Sequence, residues 1–337
     1  MFNLNVLSKK DIQSLLKMND VIDVVESAYS QKASNRASIF DWVFNEFDPG
    51  VADMDIKSGW LKDEGIYGMK LVSWFSKNPE KNLPSIIGVV MVFDDKTGKP
   101  IGLVDGDYIT GMRTGAAGAI GAKYMARKDS KTLLMVGTGH ISKFEIAATL
   151  IALPNIEEVI IINPINAQVA TDMAEKLKDV LRDEFDITRE FEVKSIDNIE
   201  DAVRLSDIII TATPSRKPLI MKEWLKPGTH LSCIGSDMPG KEEIDPNIFK
   251  EARVVVDDLE QCKHIGEIEI PFNLGIIDNQ SISGEIGDII NKKINGRMND
   301  DEITVFDATG TALLDLVTAR LAFSIAESKK VGTTVEL

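Results

Sequence analysis

A glycine-rich loop is the segment with the clearest chemical potential. Residues Gly137–Ser142, GTGHIS, follow an apolar run directly and open a segment with helical spacing of apolar residues. Glycines let a backbone approach a pyrophosphate, and a helix N-terminus presents free N–H groups to the anion. An ordinary strand-to-helix turn is the alternative, but the strand and helix are the context that dinucleotide binding requires. The loop therefore predicts a dinucleotide site at Gly137 and Gly139.

The end of the next strand normally selects the cofactor. An acidic residue there binds the ribose 2′-hydroxyl, whereas an arginine accepts the 2′-phosphate of NADP. Residues 163–166 read Asn-Pro-Ile-Asn and contain neither. Because a phosphate without a cation is poorly compensated, we expect NAD, with NADP left open.

A lysine and an arginine lie in two further segments that could bind substrate. Lys70 falls inside the predicted strand GMKLVSW. Its spacing favours solvent, and the alternative is an inward position where burial lowers the lysine pKa. Arg113, followed by Thr114, enters a helix rich in small residues, where it can grip a carboxylate or phosphate with two hydrogen bonds or simply cap the helix.

Asp237 lies in CIGSDMPGKEEI, just past a predicted buried strand. Ligands of open α/β sheets bind beyond the carboxyl ends of the strands, so Asp237 and Lys241 occupy a functional position. Met-Pro-Gly also favours a turn, and an aspartate can serve both purposes.

The other polar residues offer less chemistry. The three histidines have no metal-ligand spacing, and no metal site is expected. We expect the acid pairs Asp257-Asp258 and Glu242-Glu243 to be solvated charges at strand ends. Cys233 and Cys262 are too few for a disulfide framework and are expected to be buried, reduced thiols.

The elements that position these residues change character along the chain. Residues 8–33 predict two short amphipathic helices, and extended runs follow, with a hairpin at 94–99. After residue 130 strands and helices alternate, which indicates a doubly wound parallel sheet. The C-terminal helix, with Leu313 and Leu316 on one face, is expected to return to the N-terminal domain.

We therefore predict an α/β protein with a Rossmann doubly wound parallel sheet and a discontinuous α+β domain. The predicted boundaries are 1–125 with 308–337 for the discontinuous domain, and 126–307 for the Rossmann domain. The chain of 337 residues, 44% of them hydrophobic, is long enough for both.

Net charge and hydropathy limit the partners. A formal charge of −15 repels nucleic acid and anionic lipid, so neither partner is expected. The N-terminus has no apolar signal core, and no apolar run is long enough to span a bilayer. We expect a cytoplasmic protein.

Taken together, these segments resemble the ornithine cyclodeaminase and mu-crystallin family, which includes alanine dehydrogenases and ketimine reductases. The resemblance covers nearly the whole chain and rests on GMKLVSW, MRTGAAGAIGAKYMA, GTGHIS, GSDMPGKEEI, VVVDDLEQCKHIGEI and FDATGTALLDLVTA. It implies that the discontinuous α+β domain serves substrate binding and dimerisation in a homodimer. It also implies an NAD(P)-dependent oxidoreductase acting at the α-carbon of a small amino or imino acid. It also implies roles for individual residues.

By this resemblance, Asp237 and Lys70 are catalytic, and Lys70, Arg113 and Thr309 bind substrate. Arg36 is expected to be a further substrate-binding residue. The cofactor-binding residues are Ser85, Arg113, Thr114, Gly137, Gly139, His140, Ile141, Asn163, Thr213, Ile234, Gly235, Ser236, Lys241 and Ala308.

The segment before the first sheet departs from the family pattern. Relatives carry a second carboxylate-binding arginine there; here Arg36 is the nearest arginine and Lys57 is another cation. Asp53 and Asp55 are extra acids that could recognise a substrate amine.

The expected reaction removes a hydride from the α-carbon and gives an imine. Water then yields a 2-oxo acid, or the substrate's own amine closes a ring. The alternatives are an imine, ketimine or opine-type reductase and a non-enzymatic ligand-binding protein like mu-crystallin.

Overall fold

The computed structural model describes residues 2–337, which form two compact units. Unit 1 comprises the chain up to Arg113 together with Thr311–Leu337, and unit 2 comprises Thr114–Gly310. The first division falls inside a continuous helix, Gly106–Met125, whereas we placed a boundary at the end of that helix. Arg113 consequently belongs to unit 1.

The first part of the chain is rich in strands. In chain order its elements are β1 (Asn3–Leu7), α1 (Lys9–Leu15), α2 (Met18–Ala33), β2 (Ala37–Ile39), β3 (Val43–Asp48), β4 (Ala52–Leu61), β5 (Ile66–Phe75), β6 (Ile86–Asp94), β7 (Pro100–Asp105) and α3 (Gly106–Met125).

The middle part alternates strands and helices. Its elements are β8 (Thr132–Val136), α4 (Ser142–Ala152), β9 (Glu158–Ile162), α5 (Ala167–Phe185), β10 (Glu192–Ser195), α6 (Ile199–Leu205), β11 (Ile208–Thr211), β12 (Arg216–Ile220), β13 (His230–Cys233), β14 (Glu242–Ile244), β15 (Arg253–Val256), α7 (Leu259–Ile265), α8 (Glu269–Asn273), β16 (Ile282–Glu285), α9 (Ile286–Ile290) and β17 (Thr304–Asp307).

The chain ends with α10 (Ala312–Lys329) and β18 (Thr333–Glu336), and short 3-10 helices occur at Asn78–Lys81, Lys222–Trp224 and Pro246–Lys250.

The sheet of unit 1 is mostly antiparallel. Its order is β18-β1-β7-β6-β5-β4-β2, with β3 also paired to β4, and only β1 and β7 run parallel. Helix α10 packs on this sheet and on α2. Helix α1 begins at a capping box in which Ser8 and Asp11 satisfy each other's backbone N–H groups. The two predicted N-terminal helices, the 94–99 hairpin and the return of the C-terminal helix are confirmed.

The main sheet of unit 2 is parallel throughout, with the order β10-β9-β8-β11-β13-β17-β15-β16. The strand order reverses direction between β8 and β11, which is the topological switch point of a Rossmann fold. These strands contain fully buried β-branched residues such as Ile160, Ile209 and Val254. This composition is expected because helices cover both faces of such a sheet. The predicted doubly wound sheet is therefore confirmed.

No helix within residues 2–337 is both long and apolar enough to cross a membrane.

Candidate active site

Unit 1 contains a buried cluster of two cations and one carboxylate. Nζ of Lys70 lies 3.4 Å from Oδ1 of Asp315, and Nε of Arg113 lies 3.1 Å from the same oxygen. Asp315 is fully buried, and Lys70 and Arg113 are 5% and 7% exposed. One carboxylate oxygen thus fixes the positions of both cations, which come from strand β5 and helix α3.

Two glycines let helix α10 bring Asp315 to the sheet. A Cβ on Gly68 would lie 2.8 Å from Leu316, and a Cβ on Gly59 would lie 2.9 Å from Leu313. Both distances are shorter than normal carbon contacts. The absence of side chains at these two strand positions therefore sets how closely α10 approaches β4 and β5.

The charges in this cluster shift one another's protonation. Burial lowers the pKa of Lys70 to about 8; Asp315 opposes that shift, and Arg113 and Lys57 add to it. Burial alone would raise the pKa of Asp315, but Arg113, Lys70 and Lys57 outweigh burial and lower the pKa. Oδ2 of Asp315 is buried and has no hydrogen-bond partner within residues 2–337. The cluster therefore combines a firmly ionised carboxylate with a lysine that titrates near neutral pH.

The sequence spacing favoured a solvent-exposed position for Lys70, and that prediction was wrong. Even-numbered residues of β5 face α10, and Lys70 is among them. Asp315 was not singled out from the sequence, although a lone acid within the apolar run TALLDLVTA was the available signal. An unpaired carboxylate would not be stable among those residues, so the run implied a buried cation.

Arg36 does not join this cluster. It pairs with Asp63, and its side chain is 45% exposed. Its backbone pairs with Lys62 at the end of β4, whereas Lys57 lies directly across from Lys70 in the β4–β5 ladder. Five residues of strand separate Lys57 from Lys62, or roughly 16 Å. The structure therefore brings Lys57, not Arg36, beside Lys70.

In unit 2, the glycine loop follows β8 as predicted. Gly137 has a φ of +109°, and a Cβ there would lie 2.7 Å from the carbonyl oxygen of Ala212. Gly139 faces open space: apart from its chain neighbours, no residue lies within 4 Å of the position that a Cβ would take. Helix α4 then begins without a side-chain cap. The loop thus has the tight turn, the accessible backbone and the helix N-terminus that bind a pyrophosphate.

Asn163 fixes the loop to the end of β9. Its Nδ2 donates to Oγ1 of Thr138 at 2.8 Å, and its Oδ1 accepts the backbone N–H groups of Ile165 and Asn166. A cleft of about 330 Å³ borders the same loop, lined by Thr138, Gly139, His140, Lys143, Met173, Lys176, Leu177 and Val180.

The expected cofactor residues of unit 2 gather at one edge of the parallel sheet. Gly137, Gly139, His140 and Ile141 follow β8, Asn163 follows β9, Thr213 follows β11, Ile234, Gly235, Ser236 and Lys241 follow β13, and Ala308 follows β17. Ser85 precedes β6 in unit 1, and Thr114 lies in α3 with a buried hydroxyl that has no partner among the described residues.

Asp237 is exposed and forms an ion pair with Lys241 at 2.5 Å. The Lys241 ammonium also donates to the carbonyl oxygen of Gly235 at 3.4 Å. Asp237 therefore stands at the sheet edge in contact with an expected cofactor residue, in the turn that its sequence also favoured.

Thr309 is buried beside Asp257. Its hydroxyl donates to Asp257 at 3.1 Å and accepts from the side-chain amide of Gln261 at 2.8 Å. Asp257 is 1% exposed and also accepts from the backbone N–H of Gly310. The carboxylate thus fixes the turn that follows β17.

Three of the four paired acids are buried, so the prediction of solvated strand-end charges was wrong for them; Asp258 is half-buried and caps α7. Asp257 and Glu243 are almost fully buried, and Glu242 is 8% exposed. Asp257 and Glu243 each accept several hydrogen bonds from backbone N–H or hydroxyl groups. These bonds replace solvent around the carboxylate. Glu267, which sequence analysis missed, is buried with them.

The remaining expectations concern histidine and cysteine. His230 is fully buried between Thr304 and Ser232, and burial lowers its pKa to about 3. Cys233 and Cys262 are free and buried, as predicted. No group of three or more metal-ligating side chains occurs among the described residues.

The residues of unit 2 fit a dinucleotide. The open space at Gly139, the uncapped start of α4 and the strand reversal beside it are the features such a ligand requires. Gly137, Gly139 and Asn163 would hold it.

A Rossmann unit with this loop, joined to a second unit with a buried Lys–Asp–Arg cluster, defines a dinucleotide-binding enzyme of the α/β class. The chain belongs to the ornithine cyclodeaminase/mu-crystallin family, whose model matches residues 3–330. The resemblance inferred from the sequence is thereby confirmed.

Individual relatives match over nearly their full length. The chain is 35% identical over 331 residues to alanine dehydrogenase of Archaeoglobus fulgidus, covering 98% of both. Its structure is similar to that of an archaeal alanine dehydrogenase dimer with bound NAD, with 34% identity, a TM-score of 0.92 and full coverage of both chains. It is also similar to Delta(1)-pyrroline-2-carboxylate reductase of Thermococcus litoralis in complex with NADH and L-proline, with 32% identity, a TM-score of 0.91, and 98% of this chain and 100% of the other covered.

Proposed function

We propose that this chain is an NAD-dependent oxidoreductase that acts at the α-carbon of a small amino or imino acid. The observation that carries the proposal is the Lys70–Asp315–Arg113 cluster, in a chain whose other unit has a dinucleotide-binding edge. NAD, when bound, accepts or delivers the hydride. The crystallised relatives hold NAD or NADH, which supports this cofactor.

Arg113 is proposed to bind the substrate carboxylate. It contacts Asp315 through Nε, so its two terminal nitrogens supply the parallel donors that fit a carboxylate. Lys57 lies opposite Lys70 in the β4–β5 ladder and adds a second cation to the proposed carboxylate-binding site. A substrate held at its carboxylate has a fixed α-carbon, and this orientation supplies much of the catalysis.

Lys70 is proposed to move the proton. With a pKa of about 8, it exists in both protonation states near neutral pH, as a general acid or base must. In the oxidative direction, neutral Lys70 takes a proton from the substrate amine or from the attacking water, and Asp237 is proposed to share this role. In the reverse direction, the lysine ammonium protonates the imine.

The fate of the imine defines the final product. Attack by water gives a 2-oxo acid and ammonia. Attack by a terminal amine of the substrate, followed by loss of ammonia, gives a cyclic imine, and reversal makes the enzyme an imine reductase. Of the two relatives, alanine dehydrogenase is named for the first of these activities, and Delta(1)-pyrroline-2-carboxylate reductase is named for the last. We propose that oxidative deamination and imine reduction are the two directions of one reaction at this site.

The chain is further proposed to be a cytoplasmic homodimer. Unit 1 exposes a set of large apolar side chains on β3, β6 and the turns before them: Phe40, Trp42, Val43, Phe44, Phe47, Ile86, Ile87 and Val89. Apolar patches of this kind mark protein interfaces. Light scattering tests the proposal, because Phe44→Glu should give monomers and a wild-type monomer would contradict it.

A substrate panel tests the function. The purified protein is incubated with NAD and alanine, ornithine, lysine or proline, and with NADH and the corresponding 2-oxo acids with ammonia or cyclic imines, while nicotinamide absorbance is followed. Each set is repeated with NADP or NADPH. The proposal predicts turnover with at least one pair and none for Lys70→Met, which should still bind NAD. Binding without any turnover would instead favour a mu-crystallin-like ligand-binding protein.

A further inference from the structure

A buried glutamate ties together two of the loops at the dinucleotide-binding edge. Oε1 of Glu243 accepts both the backbone N–H and the hydroxyl of Thr213, each at 2.7 Å. Oε2 accepts the hydroxyl of Thr211 at 2.7 Å and the backbone N–H of Gly235 at 2.9 Å. One side chain therefore connects the ends of β11 and β13.

This set of contacts requires a carboxylate. Four donors converge on two oxygens, and an ionised carboxylate has enough lone pairs to accept all four. A glutamine of the same shape would direct its NH₂ group at two of the donors. The carboxylate is fully buried, and its four donors are all uncharged groups. Its charge is stabilised by hydrogen bonds instead of a cation.

A second buried acid lies against the first. Oε1 of Glu267 accepts the backbone N–H groups of Glu243 and Ile244, each at 2.7 Å, and Oε2 shares a short hydrogen bond with the hydroxyl of Ser236. Two neighbouring carboxylates without a cation cannot both be ionised at low cost. Burial and then the charge of Glu243 raise the pKa of Glu267 well above its ordinary range. Burial also raises the pKa of Glu243, but hydrogen bonds from Thr211, Thr213 and Gly235 oppose that shift. Because four donors converge on Glu243, we assign the proton of the pair to Glu267.

The backbone at Gly235, in the second of these loops, leaves no room for a side chain. A Cβ on Gly235 would lie 2.4 Å from the carbonyl oxygen of Thr213 and 2.5 Å from the Glu243 carboxylate. The backbone of Gly235 is therefore pressed against both groups. Thr213, Gly235 and Ser236 follow the strands on the far side of the switch point, where the second half of a dinucleotide binds in a Rossmann fold.

We propose that ionised Glu243 is a positioning residue for the dinucleotide, holding the loops after β11 and β13, and that Glu267 is its protonated neighbour. The inference rests on the proposed function only in that NAD is the ligand. It gives a function to Glu243 and Glu267, two acids that lie outside the Lys70–Asp315–Arg113 cluster.

Calorimetric titration with NAD tests this assignment. Glu243→Gln should weaken NAD binding by about 10- to 100-fold, the loss expected for hydrogen bonds to a charged group. Glu267→Gln is an isostere of a protonated glutamate, so it should weaken binding by only about threefold or less. Asp207→Asn is the control for loss of a buried acid, and this aspartate also pairs with Arg127 and Lys226. Asp207 accepts the backbone N–H groups of Lys131 and Thr132 at the opposite end of β11, and it is 7% exposed.

The outcomes separate positioning from general stability. Weaker NAD binding in Glu243→Gln, with unchanged binding in an equally destabilised Asp207→Asn, supports the proposal. Equal losses in both, or wild-type affinity in Glu243→Gln, overturn it, and a Glu267→Gln variant as weak as Glu243→Gln overturns the proton assignment. If Glu243→Gln does not fold, Thr211→Val decides, because it removes one donor and should still weaken binding. Failure of the wild-type protein to bind NAD would instead contradict the proposed function.

Discussion

Nε of Arg113 lies 3.1 Å from Oδ1 of Asp315, although 202 positions separate the two residues in the sequence. The same oxygen attracts Lys70. Asp315 thus orients both cations of the proposed substrate site without being exposed itself. Removing the charge of Asp315 should lower the pKa of Lys70 further, because this carboxylate opposes the effect of burial on the lysine.

The first prediction concerns the pH dependence of activity. Asp315 stabilises the ammonium form of Lys70, so Asp315→Asn should lower the lysine pKa further below about 8. If neutral Lys70 is the base for oxidation, the rate rises with pH through this pKa, and the variant's profile should move toward lower pH. Measurement of kcat/KM against pH checks this. Asp63→Asn, which removes an exposed carboxylate bound to Arg36, should leave the profile in place; a shift toward higher pH in Asp315→Asn would contradict the role of Lys70.

The second prediction identifies the additional carboxylate-binding cation. Lys57 lies opposite Lys70 across the β4–β5 ladder, whereas Arg36 is paired with Asp63. Lys57→Met should therefore raise KM for the substrate by about tenfold, while Arg36→Gln raises it much less. Initial-rate kinetics on the two variants decides the matter. A larger rise in KM for Arg36→Gln than for Lys57→Met would instead identify Arg36 as the additional carboxylate-binding cation.

The third prediction concerns the glycine loop. Gly139 faces open space, so Gly139→Ala should fold normally while placing a methyl group where the dinucleotide backbone approaches. We expect NAD affinity to fall by about tenfold or more with little change in melting temperature. Calorimetry and thermal unfolding on one sample give both values. Unchanged affinity would show that Gly139 is not part of the dinucleotide site.

The fourth prediction tests how α10 approaches the sheet. A Cβ on Gly68 would lie 2.3 Å from the carbonyl oxygen of Met91 and 2.8 Å from Leu316. Gly68→Ala should therefore lower the free energy of unfolding by roughly 1–3 kcal/mol, as overpacking does, and should weaken substrate binding by moving Asp315. Gly88→Ala is the control, because its nearest contact is 3.1 Å. Equal stabilities of the two variants in urea would contradict this packing.

Local patterns were enough to predict much of the fold. Alternating apolar strands and helices predicted the parallel sheet, and the apolar spacing of residues 8–33 predicted helices α1 and α2. Strand β1 was missed because its pairing partners are β7 and β18, and no local pattern contains them. The strand β4 was missed because polar residues such as Asp53 and Lys57 mask its alternation.

The candidate site was predictable only in part. The glycine loop has a local signature, since its chemistry depends on consecutive residues. The burial of Lys70 depends on a carboxylate from a helix near the end of the chain, and the burial of Glu243 depends on donors from β11 and the turn after β13. Contacts between residues so far apart in the chain produce no characteristic residue spacing that could be recognised in the sequence.

Transfer of an isotope label tests the central claim most directly. Amino acids carrying deuterium at the α-carbon, starting with alanine, ornithine, lysine and proline, are incubated with the enzyme and NAD, and the reduced cofactor is analysed by mass spectrometry. We predict that the cofactor gains one deuterium when the α-carbon is labelled and none when the label is at the β-carbon. Reduced cofactor that carries no α-deuterium, or no reduction with any amino or imino acid in the panel, would contradict oxidation at the α-carbon.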